Sequence, residues 1–359
     1  YLDHNIQYNE IENIQVFERI KSLLEKETYK EYFNNEIINK IIKSYDKFFL
    51  KQKLDVDEYI LRDFEIKEFN QIADHEVFRY LIYRYKFTIY PKIFKVDNYP
   101  PCLQVELSSI CNFRCVMCYQ ADKTFSNKSN GYMSMMKIES YKKIIDEAQN
   151  NIEAITFASR GEPTLNKYFS EMTEYANNKF LALKINTNAS MLNEKLIHNI
   201  LSTNFQSIVF SIDAADKETY EKIRVNGKFD KIISNLELFS KIRKKHYSKS
   251  KHIVKCSGVK INNDQKVGKL SDKLKKYADV IALVQYTPWE SSYENEINLI
   301  ETPCQELWSR MFIWADTKVN PCDYDYKSYL SKWDLKNKSI SSIWNSKEYN
   351  TYRQLHLSK

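Results

Sequence analysis

Apolar and aromatic residues recur at helical spacing in four stretches of the first hundred residues: Ile14–Leu24, Tyr29–Leu50, Glu58–Ile72 and Glu76–Tyr85. Hardly a glycine or proline interrupts them before Pro91, so residues 1–98 are predicted to form a helical N-terminal region. Its Tyr and Phe stripes are read first as core, since amphipathic periodicity marks burial, with substrate recognition as the alternative. Tyr99-Pro100-Pro101 ends it, because proline lacks the amide proton and restricts the residue before it. The pattern then changes to short apolar runs, Leu103–Ser108, Ala154–Ala158, Ala182–Thr187, Ser207–Ser211, His252–Ile261 and Val280–Gln285. Between them lie the helical patterns Lys137–Gln149, Lys167–Asn177, Glu194–Leu201, Lys231–Lys244 and Val267–Tyr277. This alternation predicts an α/β unit over residues 99–287, a partial (β/α)6 barrel. From Pro288 to Lys359 the texture shifts again: Phe312 to Cys322 predicts a β-hairpin bringing Cys304 and Cys322 together from separate strands, and Ser342 opens a helix through Arg353.

Composition narrows the class. A chain of 359 residues suits one barrel with smaller appendages. No apolar run reaches transmembrane length and no signal-peptide core is present, which leads to the expectation of a soluble, cytoplasmic protein without a membrane partner. The seven cysteines, odd in number and unevenly clustered, point to thiolate ligands in a reducing compartment rather than to a disulfide framework. The net charge of +7 accompanies abundant Lys, Ile, Asn and Tyr, a bias typical of an A- and T-rich genome, so no nucleic-acid partner is inferred from it. Lys241 to Lys255 reads as the polar end of a helix and a loop. A start at Tyr rather than Met suggests a trimmed sequence.

The candidate chemistry begins at Cys111-Asn112-Phe113-Arg114-Cys115-Val116-Met117-Cys118, a C-x3-C-x2-C cluster following the first strand. Three thiolates fit three corners of a [4Fe–4S] cubane, leaving one iron open to a non-protein ligand. A zinc site or buried thiols are the alternatives; structural zinc wants four ligands, usually as two pairs, and no histidine lies between His75 and His198.

This spacing, with a bulky residue before the third cysteine, resembles the radical S-adenosylmethionine (SAM) superfamily. The resemblance implies a TIM-like partial barrel in which Cys111, Cys115 and Cys118 hold a [4Fe–4S] cluster whose open iron chelates SAM. One electron, from a reductant such as flavodoxin or ferredoxin, then cleaves SAM to a 5′-deoxyadenosyl radical that abstracts a substrate hydrogen. Ser159-Arg160-Gly161-Glu162-Pro163 resembles the family's Gly-Gly-Glu-Pro motif with Arg160 in the first Gly position, implying that Gly161 and Glu162 receive the SAM amino group. Asn186-Thr187-Asn188 resembles its Thr-Asn-Gly ending with Ala189 in place of Gly, giving Asn188 a weak SAM contact. Ser211, Asp213 and Arg224 resemble the Ser-x-Asp-(about ten)-Arg signature; Ser211 and Arg224 are then SAM ligands with Asp213 in support, although Asp213 is equally suited to cap the next helix. Met117, and Val259 or Ile261 of the fifth strand, are expected on the adenine.

Residues 288–359 resemble the start of the SPASM/Twitch extension, with Thr317 in a Gly position. The resemblance implies that Cys304 and Cys322 are metal ligands of an auxiliary [4Fe–4S] cluster, and that the native chain continues to supply further thiolates; a merely structural hairpin is the alternative. The expected activity is peptide modification, with a small-molecule (aminocyclitol or sugar) dehydrogenase second and a non-catalytic iron–sulfur protein third.

Overall fold

The computed structural model describes residues 9–288, 292–294 and 302–358; the outer parts of the predicted N-terminal region and tail, residues 1–8, 289–291, 295–301 and 359, lie outside the described residues. The chain forms two compact units, residues 1–97 and 98–359.

The first unit is helical, with helices Glu10–Leu24, Glu36–Phe49, Asp63–Phe69 and Val77–Ile89. Two predicted helices are interrupted, each by a local polar contact. Within Tyr29–Leu50, residues Glu27–Asn34 form a 3₁₀ segment, after which the Asn35 side chain accepts from the Ile37 and Ile38 amides and starts a new helix. Within Glu58–Ile72, the helix begins only at Asp63, where the Arg62 amide donates to the Glu65 carboxylate at 2.9 Å.

The second unit is built on strands β1 (Cys102–Val105), β2 (Ala154–Phe157), β3 (Ala182–Thr187), β4 (Ser207–Ser211), β5 (Ile253–Lys260) and β6 (Val280–Gln285). All six pair in parallel in nearest-neighbour order, with helices Ile138–Ala148, Phe169–Ala176, Glu194–Ser202, Phe229–His246 and Val267–Leu274 between them. This is the wrapping of an open β/α barrel. One outward face packs on the helices through residues such as Leu103, Ile155, Leu183 and Ile208, all fully buried.

Beyond the barrel, β7 (Arg310–Ile313), β8 (Lys318–Asn320) and β9 (Trp333–Asp334) follow. The expected hairpin is formed by β7 and β8, but it is not a free appendage. β7 pairs in parallel with β1, Cys102 opposite Arg310 and Val105 opposite Ile313, so the tail extends the barrel sheet to nine strands. Cys304 lies before the short helix Glu306–Ser309 and Cys322 after β8, so neither occupies a strand, in contrast to the expectation. The single expected C-terminal helix is two, Ile340–Trp344 and Lys347–Leu357, broken where the Ser346 hydroxyl accepts from the Tyr349 amide and caps the second. No helix among the described residues is long and apolar enough to cross a membrane.

Candidate active site

The loops after the C-terminal ends of the strands surround one cavity of about 230 Å³. Cys111, Cys115, Cys118, Met117, Gly161, Glu162, Asn188, Ser211 and Arg224 all line it, although they come from four separate loops. Among the described residues no three Cys, His, Asp or Glu groups converge on a single ion position. The three thiols instead stand around the cavity wall, near enough for the charge of Cys115 to be felt at both Cys111 and Cys118. Three cysteines lining one cavity are the number of protein thiolates that a cubane with one open iron needs. As free thiols they are disfavoured as anions, burial pushing Cys111 up to about 12 and Cys118 further; metal binding would have to drive their deprotonation.

The cysteine loop is held from two sides. The Arg114 amide donates to the Val225 carbonyl at 2.9 Å and the Val116 amide to the Ile223 carbonyl at 3.0 Å, pinning the loop to the segment that carries Arg224. On the other side the Glu162 amide donates to the Ile110 carbonyl at 3.0 Å. Gly161 is obligatory for that approach: a side-chain carbon there would lie 2.3 Å from the Ser108 carbonyl oxygen and 2.6 Å from that of Ile110. Gly161→Ala is therefore expected to displace the chain just before Cys111 and to reduce bound iron, measured after anaerobic reconstitution, to less than about half of wild type. Normal iron content in that variant would show that the loop can yield.

The Glu162 carboxylate is spent largely within the protein. It accepts from the Thr187 hydroxyl at 2.7 Å, the Asn188 amide at 2.7 Å, and the Thr164 hydroxyl and amide at 2.5 and 3.2 Å. Burial raises its pKa, and these donors offset part of the rise. Its side chain thus fixes the end of β3 against the cysteine loop. Asn188 in turn directs its amide toward the Cys111 sulfur at 4.0 Å and the Asn112 side chain at 3.0 Å.

Arg224 is likewise committed. Its Nε donates to Asp213 at 2.6 Å and its Nη1 approaches the Cys115 sulfur at 3.8 Å, with both ends of the ion pair buried. Asp213 does not line the cavity; it sits behind Arg224 and also accepts from the Val259 amide at 2.7 Å. The next helix, Lys217–Ile223, is capped by Asp216. Ile261 falls outside the cavity too, because β5 ends at Lys260 and the Ile261 amide turns to the Gln265 side chain; Val259 is the residue that lines it.

Sequence reading missed the device that explains Arg160. Its guanidinium forms a doubly bonded pair with Glu106 at 2.6 and 2.7 Å, donates to the Tyr326 carbonyl at 2.8 Å and stacks on Trp314 at 4.4 Å. Glu106 also accepts from the Ala315 amide at 3.0 Å, so this buried pair joins β1, the loop after β2 and the tail. A second tie runs from Ser159, at φ 142°, whose hydroxyl donates to Asp323 at 3.0 Å. The unusual Arg in a motif position expected to hold Gly was the one signal available. Gln120, whose side-chain amide bridges the Ser109 and Arg160 carbonyls at 2.8 and 2.5 Å, carried none.

In the tail, Cys304 and Cys322 are half-buried and close enough that Cys304 helps raise the Cys322 thiol, pushed up to about 12 chiefly by burial. The C-terminal helix lies over Cys304, whose amide donates to His356 Nδ1 at 3.3 Å. Cys102 and Cys256 are buried in β1 and β5.

The second unit is thus an open parallel β/α barrel whose C-terminal loops gather three thiols around one cavity, with a cysteine-bearing tail docked on the first strand. Residues 105–269 match the Radical SAM superfamily and residues 304–359 match the SPASM iron-sulfur cluster-binding domain. The chain belongs to the radical SAM superfamily, with a SPASM-type C-terminal extension. Its cofactors are accordingly a [4Fe–4S] cluster, SAM and an auxiliary cluster. It is 25% identical over 208 residues to the uncharacterized protein MJ0804 of Methanocaldococcus jannaschii, covering 58% of this chain and 63% of that one. It is 28% identical over 138 residues to the mycofactocin maturase MftC of Mycobacterium tuberculosis, covering 38% of this chain and 34% of that one. The chain thus spans less than two thirds of the length of either relative. SuiB of Streptococcus suis, solved with its precursor peptide SuiA, shares the fold at a TM-score of 0.59 and 14% identity, over 98% of this chain and 85% of SuiB.

Proposed function

We propose that this chain reductively cleaves SAM and uses the resulting radical to abstract hydrogen from a peptide. The observation that carries the reading is the convergence of Cys111, Cys115, Cys118, Met117, Gly161, Ser211 and Arg224 on one cavity. A [4Fe–4S] cluster on the three thiolates would supply the electron and the open iron at which SAM is held. The protein's own part is orientation and exclusion of side reactions. Arg224 sets a fixed positive charge beside Cys115 and the cavity, backed by Asp213 so that it cannot swing away. Ser211, at the end of β4, presents a hydroxyl to the cavity, and Met117, Val259 and Val284 supply apolar surface for a flat ring. The peptide assignment is supported by the likeness to a maturase and by the peptide seen in SuiB.

The test is anaerobic reconstitution followed by dithionite-driven SAM cleavage, with 5′-deoxyadenosine measured by chromatography. Ser211→Ala should weaken SAM binding about threefold to tenfold, the loss of one hydrogen bond worth roughly 0.5–1.5 kcal/mol, while the cluster's visible absorption stays unchanged. Wild-type SAM affinity in that variant would remove Ser211 from the ligand set.

A further inference from the structure

The barrel interior beneath the cavity contains polar groups that the SAM site does not use. Asn186 of β3 lines the cavity, and Lys184, two residues earlier on the same face, lies one layer deeper, about 6.6 Å along the strand. In the sheet register Lys184 stands between Thr156 of β2 and Ser207 of β4. Among the described residues no carboxylate faces it; the ionisable groups within its electrostatic reach are Arg310, Lys255 and the Cys102 thiol. Burial, with the two cations adding to it, lowers the Lys184 pKa to about 8. Beside it the Ser207 hydroxyl and the Asn186 side-chain carbonyl are both buried and unpaired among the described residues. Two buried polar atoms without partners, beside an ammonium set among cations, are costly in a folded interior unless a ligand completes them.

We propose that Lys184 and Ser207 bind a carboxylate of the substrate in the barrel interior, with Asn186 accepting an N–H of the same molecule. In one register layer of adjacent strands, an ammonium and a hydroxyl are the two kinds of donor that the oxygens of a carboxylate accept from. A phosphate would turn a further oxygen toward the Asn186 carbonyl. The inference rests on the reading above for the identity of the ligand as substrate, and it narrows that substrate to one with a carboxylate next to an amide, as at a peptide C-terminus.

The probes are N-acetylglycinate and its uncharged counterpart N-acetylglycinamide, added to the full chain. Lysines are labelled by reductive methylation with ¹³C-formaldehyde, and the Lys184 signal is assigned by its loss in Lys184→Arg. Its titration midpoint, near 8, should rise by about one unit with N-acetylglycinate and stay put with the amide. Lys184→Met should weaken N-acetylglycinate binding at least about tenfold, and Lys184→Arg should retain most of it. A midpoint that ignores the carboxylate, or equal responses to both probes, would overturn the proposal, and the wild-type titration decides the matter even if Lys184→Met fails to fold. Absence of cluster assembly and of dithionite-driven SAM cleavage from the wild type would instead refute the SAM-cleaving reading, leaving the carboxylate test standing.

Discussion

Replacing Cys111, Cys115 or Cys118 singly with alanine is expected to reduce SAM cleavage to background and to remove the broad visible absorption of the reconstituted protein. All three thiols line the cavity and, among the described residues, no other cysteine does, so none can take over. Two thiolates do not hold a cubane. Cys256→Ala provides the control: its thiol is buried in β5 outside the cavity and behaves as a small hydrophobe, so iron, sulfide and SAM cleavage should remain at wild-type levels. The measurements are iron and sulfide content, absorption spectra and 5′-deoxyadenosine yield, all in protein made without oxygen. Stoichiometric zinc with no iron, or a single alanine variant with full activity, would sink the cluster assignment.

The largest stability effect is expected at Glu106. Glu106→Ala leaves the Arg160 guanidinium, itself 2% exposed, without its counter-charge and leaves the Ala315 amide without an acceptor. Breaking one side of a buried ion pair costs roughly 3–5 kcal/mol, because the remaining charge stays desolvated. In a unit of this size that corresponds to a fall in Tm on the order of 10 °C. Replacing both partners with apolar residues of similar volume, Glu106→Leu with Arg160→Met, should recover much of the loss, since the penalty lies in the orphaned charge. A single variant within about 1 kcal/mol of wild type would mean that the pair is not what locks the tail to the barrel.

Two departures from the family's glycine pattern gain a physical meaning in the folded chain. Ala189 and Thr317 stand where Gly was expected, and both adopt left-handed backbone angles, φ 63° and φ 75°. A residue with a side chain pays about 1–2 kcal/mol there. Local hydrogen bonds offset it: the Ala189 amide donates to the Thr187 hydroxyl at 3.1 Å, and the Thr317 hydroxyl donates to Asp334 at 2.6 Å. The backbone shape of the motif persists although its usual residue is gone.

The alternation of apolar strands and amphipathic helices was legible from the chain alone, because period and length are local properties; β3, β4 and β6 run over the predicted residues. The cysteine spacing and the loops that carry Gly161, Ser211 and Arg224 were legible for the same reason, being short motifs at strand ends. Helix breaks at Asn35 and Arg62 were not, since they depend on which polar side chain reaches which amide. Only the tertiary structure decided that Arg224 would be backed by Asp213 and reach Cys115, 109 residues away. It alone showed that Arg160 would find Glu106, 54 residues distant, and that β7 would continue the sheet at β1. Pairing across a sheet and burial of opposite charges leave no periodic trace along the chain; they are settled by which surfaces the fold brings together and by the cost of leaving a buried charge alone.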